Sequence, residues 1–173
     1  MAQAKNNLKP QDIVILLKII SLGKKQWFHH TIANELGMSQ SEVSQSLNRS
    51  KYACLIDGAR KSVNKLALVE FLLHGIAYAF PQQPGAIVRG LLTAHSAEPL
   101  NKEIHSTEKY VWPYAKGKDR GQTIEPLYST IVEASLKDRN LYELLTMVDA
   151  IRVGRVREKK IAKKELEKRI LNA

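Results

Sequence analysis

The sequence predicts a mainly α fold with a minor β part, and three observations carry that prediction. Apolar residues recur at helix spacing near the start of the chain, at Ile13, Leu16, Leu17 and Ile20. They recur near its end, at Leu141, Leu144, Leu145, Val148 and Ile151. Between Tyr78 and Tyr128 the helical period is lost, and Pro81, Pro84, Pro99, Pro113 and Pro126 punctuate the chain with Gly85, Gly90, Gly117 and Gly121.

The first helix is predicted to open at Pro10 to Asp12, since proline suits a first helical turn, and to end at Gly23. The loop KKQWFHH follows, with Trp27 and Phe28 as expected core anchors. Thr31 reads as the cap of a short helix that turns Ile32, Ala33 and Leu36 inward. Gly37 supplies a sharp turn. Ser39 and Glu42 have the spacing of a capping box, and Val43 and Leu47 seat the helix that follows. Next, KYACLIDGARKSV admits a small hairpin around Asp57-Gly58 or a plain loop. The segment SVNKLALVEFLLHGI is a clear helix, with Leu66, Val69, Leu73 and Ile76 on one face and Leu68 and Leu72 beside them. In the middle segment, KYVWPY, the turn AKGKD and RGQTIEP read as a β-hairpin. Beyond Gly154 the apolar pattern thins to Ile161, Leu166 and Ile170, as one long C-terminal helix interrupted near Gly154 or a helix with a basic tail. The chain thus divides by character into residues 1–76, a mixed segment 77–139, and a helical, basic end 140–173.

Composition narrows the function classes. Hydrophobic residues make up 44% and charged residues 25%, as in folded globular proteins. No apolar run reaches the roughly 18–20 residues of a membrane span. The N-terminus, MAQAKNNLKPQD, lacks the order of a signal peptide. With one cysteine, Cys54, no intramolecular disulfide is possible, and a cytoplasmic protein is expected. The net charge is +10. Residues 1–75 hold ten basic and five acidic side chains, residues 76–150 eight and nine, and residues 151–173 nine and three. Basic charge at both ends attracts polyanions, because each neutralised phosphate releases counterions.

Helix, short helix, glycine turn and polar helix is the order of a helix-turn-helix, whose second helix enters the DNA major groove. With Val43 and Leu47 buried, the expected base-reading positions are Gln40, Ser41, Ser44, Gln45, Asn48 and Arg49. Gln and Asn match adenine in bidentate fashion, Arg matches guanine, and Ser reaches either bases or phosphates. His30, Thr31, Ser39, Lys51, Arg60 and Lys61 are the expected phosphate contacts, which hold register.

On these residues the stretch IANELGMSQSEVSQSLNRSKYACLI resembles the recognition unit of bacterial winged helix-turn-helix regulators of the MarR-like kind. Ile32-Ala33, Leu36-Gly37, Ser39, Val43-Ser44, Leu47 and Leu55-Ile56 match the pattern "IA..LG.S...VS..L..L...GLI". The likeness covers about residues 12–61. It departs from the pattern after Ile56, where only DGARK stands in place of a longer basic wing. The element Tyr110–Pro113 (YVWP) resembles one in a group of small bacterial regulators. The resemblance implies a winged helix-turn-helix N-terminal domain and a transcriptional regulator.

Other chemistries find little support. The five histidines, His29, His30, His74, His95 and His105, lack a metal-ligand spacing, and no metal or cofactor is expected. Cys54 reads as a small buried residue between Ala53 and Leu55 rather than a redox sensor. GxGxxG and GxxxxGK are absent, and HSAEPLNKEIH lies in a loosely patterned stretch, so no enzyme is expected. A two-fold operator needs recognition helices roughly 34 Å apart, which points to a homodimer through Leu141, Leu144, Leu145, Val148 and Ile151. The expected function is sequence-specific binding of double-stranded DNA as a transcriptional repressor. The alternative is a protein-binding, antitoxin-like partner in a two-protein system, with DNA binding secondary. A basic RNA-associated protein is a weaker third reading, since the basic regions lack an aromatic stacking platform.

Overall fold

Asp12 to Ile20 are nine consecutive buried residues, and they put helix α1 (Pro10–Leu22) at the centre of the molecule in the computed structural model, which describes residues 6–173. The N-terminal stretch read against a signal peptide lies partly outside the described residues. A helix apolar on one stripe faces a single neighbour, whereas α1 is enclosed on nearly every side. It packs on α2 (His29–Leu36), α3 (Gln40–Tyr52) and α7 (Arg139–Val153). The architecture is mainly α with a small β part: α4 (Lys65–His74), the one-turn α5 (Ile76–Ala79), strands β1 (Ile87–Leu92), β2 (Tyr110–Pro113) and β3 (Asp119–Thr123), then α6 (Ile131–Lys137), α7 and α8 (Val156–Asn172). Buried side chains from all three regions of the sequence join one hydrophobic core. Among the described residues no helix is long and apolar enough to cross a membrane.

Two charges buried on α1 are each paired across elements. Asp12 is fully buried and meets Arg49 of α3. Lys18 reaches Glu35 of α2 at 2.5 Å and Asp138 at 2.6 Å, and Asp138 also caps α7 by accepting from the Leu141 amide. An unpaired ion in such a place costs several kcal/mol, so these pairs fix how α2, α3 and α7 sit around α1.

The expected hairpin at 109–126 is corrected. Both strands form, but β2 and β3 run parallel to each other, and each is antiparallel to β1. The three close a small barrel. β2 pairs with β1 from Leu92 back to Gly90, and β3 takes over from Gly90 back to Ile87. The chain therefore crosses β1 at Gly90 and carries on in the same direction instead of reversing. A Cβ at Gly90 would lie 2.0 Å from the Trp112 carbonyl oxygen, and one at Gly121 2.4 Å from that of Lys109. Backbones this close admit no side chain.

The barrel is tied to α7 through Asp149. Its buried carboxylate accepts from Thr93 Oγ1 at 2.8 Å, from Trp112 Nε1 at 2.6 Å and from Arg152 at 2.9 Å. Arg152 donates onward to the carbonyls of Phe80 and Glu125.

The C-terminal helix is broken at Gly154, and two helices, α7 and α8, result. The residues expected to form a dimer interface are corrected too. Leu141, Leu144, Leu145, Val148 and Ile151 are all buried within the chain, because α7 packs on α1, α6 and α8 at once. They leave no face for a second copy.

Candidate nucleic-acid interface

Helix α3 begins where the sequence places it. Ser39 Oγ accepts from the Glu42 amide at 3.1 Å, and Glu42 Oε2 accepts from the Ser39 amide at 2.8 Å. Glu42 Oε1 also accepts from the Tyr128 hydroxyl at 2.8 Å, which ties the middle segment to the start of α3. The Ser39 amide first, then Tyr128, hold the Glu42 carboxyl below its ordinary range. This helix N-terminus is thus already served by its own anion.

The turn before it uses Gly37 at φ 65°, left-handed, as expected. Thr130 donates to the Leu36 carbonyl at 2.5 Å and packs on Gly37. The helix ahead starts three residues earlier than expected, at His29, with Phe28 rather than Thr31 at its cap position.

The inner face of α3 carries Val43, Ser46, Leu47, Arg49 and Ser50. Its outer face carries Gln40, Ser41, Gln45, Asn48 and Lys51, with Ser44 half-buried at the margin. Five of the six expected base readers therefore share one accessible side. Arg49 is the exception. It is 5% exposed, and its guanidinium makes two bonds to Asp12, Nε–Oδ2 at 2.8 Å and Nη2–Oδ1 at 2.6 Å. It points into the protein because the buried Asp12 carboxylate requires a cation.

Tyr52, absent from the expected set, is 68% exposed. Ser41, Gln45, Asn48 and Tyr52 fall at i, i+4, i+7 and i+11, so the same spacing carried one turn further would have found it. Gln45 donates to Ser41 Oγ at 3.2 Å along this row.

The segment after α3 forms a small turn. A single antiparallel bridge joins Ile56 and Val63, and Asp57 Oδ1 accepts from the amides of Lys61 and Ser62. Those amides hold the Asp57 carboxyl below its ordinary range. Cys54 is exposed at φ 60°, which corrects its expected burial.

Arg60 turns back and donates to Asn48 Oδ1 at 2.8 Å. The turn thereby fixes the side chain at the middle of the outer row. His29 lies near the same turn: burial, then the charges of Arg60 and Lys61, push its imidazole pKa down. Of the expected phosphate contacts, His30, Ser39, Lys51 and Lys61 are exposed, while Thr31 and Arg60 are half-buried. Phe28 is 49% exposed and stacks on His30 at 5.6 Å between ring centroids, so it is no core anchor.

Among the described residues no group of three or more His, Cys, Asp or Glu side chains is arranged to hold a metal. Comparison with known proteins gives no match to any protein family, curated protein or solved structure.

Proposed function

We propose that the chain is a sequence-specific regulator that binds double-stranded DNA, laying α3 in the major groove with the Asp57–Ser62 turn beside it as a shortened wing. The observation that carries this reading is the outer row of α3. Its amide and hydroxyl side chains stand exposed on a helix clamped from behind by Val43, Leu47 and the Asp12–Arg49 pair. A surface made only for solubility needs charge; this row offers paired donors and acceptors, which is what base edges require.

Asn48 suits adenine particularly well. Its Oδ1 has two lone pairs, one taken by Arg60, so it can still accept from a base while its amide nitrogen donates. Lys51 and Lys61 flank the row as phosphate contacts. Occupancy of an operator would block transcription sterically, as a repressor does.

The test is binding of the purified chain to its own upstream DNA against scrambled DNA of equal length across a salt series. Preference for the upstream sequence that persists as salt rises supports the reading; equal binding that salt abolishes refutes it.

A second reading, a protein-binding partner in a two-protein system, is favoured by large apolar side chains left on the surface, Tyr78 at 85% and Val156 at 87% exposure. A stable complex with the product of a neighbouring gene would support it.

A further inference from the structure

Helix α8 buries Ala162, Leu166 and Ile170. The opposite side carries Arg157, Lys160, Lys164 and Lys168, all exposed. Their spacing of three, four and four residues keeps them on one line. None has an ion-pair partner among the described residues, although α8 contains three glutamates. Glu158 serves the N-terminal capping box, Glu165 pairs with Arg169, and Glu167 makes no ion pair among the described residues. The other arginines at this end are occupied: Arg155 meets Glu108, and Arg169 also meets Glu143.

Like charges at i, i+4 destabilise a helix, and Lys160, Lys164 and Lys168 repeat that spacing twice. The arrangement disfavours the free helix and suits a neighbour of high negative charge density. The line also leads toward α3. Lys168 lines a hollow with Ile20, Gly23 and Ala173. The adjoining hollow shares those three residues and is lined by Lys25, Lys61 and Lys65. Cations thus continue from the end of α8 to the turn that touches Asn48.

We propose that the outward face of α8 is a second phosphate-contacting surface for duplex DNA, continuous through Lys25 and Lys61 with the α3 interface; this rests on the reading of α3 as a DNA-facing helix. Arg157 to Lys168 spans roughly 16 Å at about 1.5 Å per residue. A single DNA strand places about five phosphates over that length. Four cations can therefore each meet a phosphate, without reading sequence.

The experiment compares three full-length proteins on one upstream duplex and on its scrambled counterpart, from 50 to 200 mM salt. They are the wild type, Arg157→Gln/Lys160→Gln/Lys164→Gln/Lys168→Gln, and a control with the same net charge, Lys102→Gln/Lys116→Gln/Lys118→Gln/Lys137→Gln. Losing four phosphate contacts makes the negative slope of log K against log salt shallower by about 3.6. Over that range the wild type then loses about 100-fold more affinity than the α8 variant, while the control keeps the wild-type slope. Thermal melts of the α8 variant should match or exceed the wild type, since repulsion is relieved. Equal slopes for all three proteins overturn the proposal and direct the line to an acidic protein instead. An equal fall in both variants also overturns it, because net charge then suffices. An α8 effect present on both duplexes, with no preference for the upstream one, sustains this surface and refutes base reading by α3. Absence of duplex binding by the wild type overturns both.

Discussion

Arg49→Ala distinguishes a structural cation from a base-reading one, and the two roles differ in magnitude as well as in assay. Asp12 has no exposed surface, and both its oxygens are held by the Arg49 guanidinium. Truncating the arginine leaves that carboxylate with the Lys9 amide as its remaining hydrogen-bond donor. Breaking a buried pair from one side costs about 3–5 kcal/mol, because the surviving charge is stranded. Domains are stable by about 5–15 kcal/mol, so the loss is a large share. For a chain of this size it lowers the melting temperature by roughly 6–20 °C. A base contact would instead cost about 1–3 kcal/mol of binding and leave folding untouched. The assay is urea unfolding of the wild type, Arg49→Ala and the pair Asp12→Leu/Arg49→Met. The double variant should recover most of the loss, since buried ion pairs exchange well for apolar groups. Recovery falls short by about 1 kcal/mol, because Asp12 also takes part in the cap of α1. An Arg49→Ala protein with an unchanged unfolding midpoint and lost DNA binding would refute the inward placement.

Gln45→Ala should lose about 1–3 kcal/mol of binding to the upstream sequence and nothing to scrambled DNA, measured by titration of both duplexes. Lys61→Ala should weaken binding to both alike and reduce the salt slope by about one. Asp149→Ala should destabilise by about 3–5 kcal/mol, since it strands buried Arg152 and leaves Thr93 and Trp112 without their acceptor; urea unfolding reads it. Burial would push the Asp138 carboxyl up, but the Leu141 amide, Lys18 and Ser21 outweigh it and hold it below its ordinary value of 3.8. Its ionised form therefore favours the folded state above that pH, and the benefit disappears as pH falls through the folded value. Asp138→Asn should then be less stable than wild type at pH 7, with the deficit closing below about pH 3.8; a deficit independent of pH would contradict the charge argument.

Much of the first fifty residues was legible. Proline at the start of α1, the Ser39–Glu42 capping box and the left-handed Gly37 are local devices, and local devices leave local marks in sequence. The division of α3 into an inner and an outer face followed from Val43 and Leu47 alone. Arg49 was misread because its partner lies 37 residues away on a helix whose period suggested only one buried stripe. Nothing near Arg49 in sequence marks Asp12 as buried. The barrel was misread for a related reason. Two short strands joined by AKGKD look like a hairpin, and what prevents the reversal is β1, whose Gly90 lets the chain cross. The five leucine-type residues of α7 showed that a face was buried but not what buries it. A buried stripe reads the same whether a second copy covers it or, as here, the chain's own α1, α6 and α8.

A net charge of +10 says only that a polyanion would be attracted. The structure sorts that charge into two populations. Lys18, Arg49 and Arg152 are buried and paired with carboxylates: the first two pairs fix α1 against its neighbours, and Arg152 pairs within α7 with Asp149, which ties the barrel to that helix. They cannot serve a partner without unfolding the site that holds them. Lys51, Lys61, Arg157, Lys160, Lys164 and Lys168 are exposed and make no ion pair among the described residues. Each is held only by its own backbone, so its charge is free at little cost to the fold. A phosphate contact made by the second group adds affinity without disturbing stability, whereas substitution in the first group alters stability before it alters binding. On the proposed reading, DNA binding should therefore be separable from folding at α8 and at Lys61, and inseparable from it at Arg49.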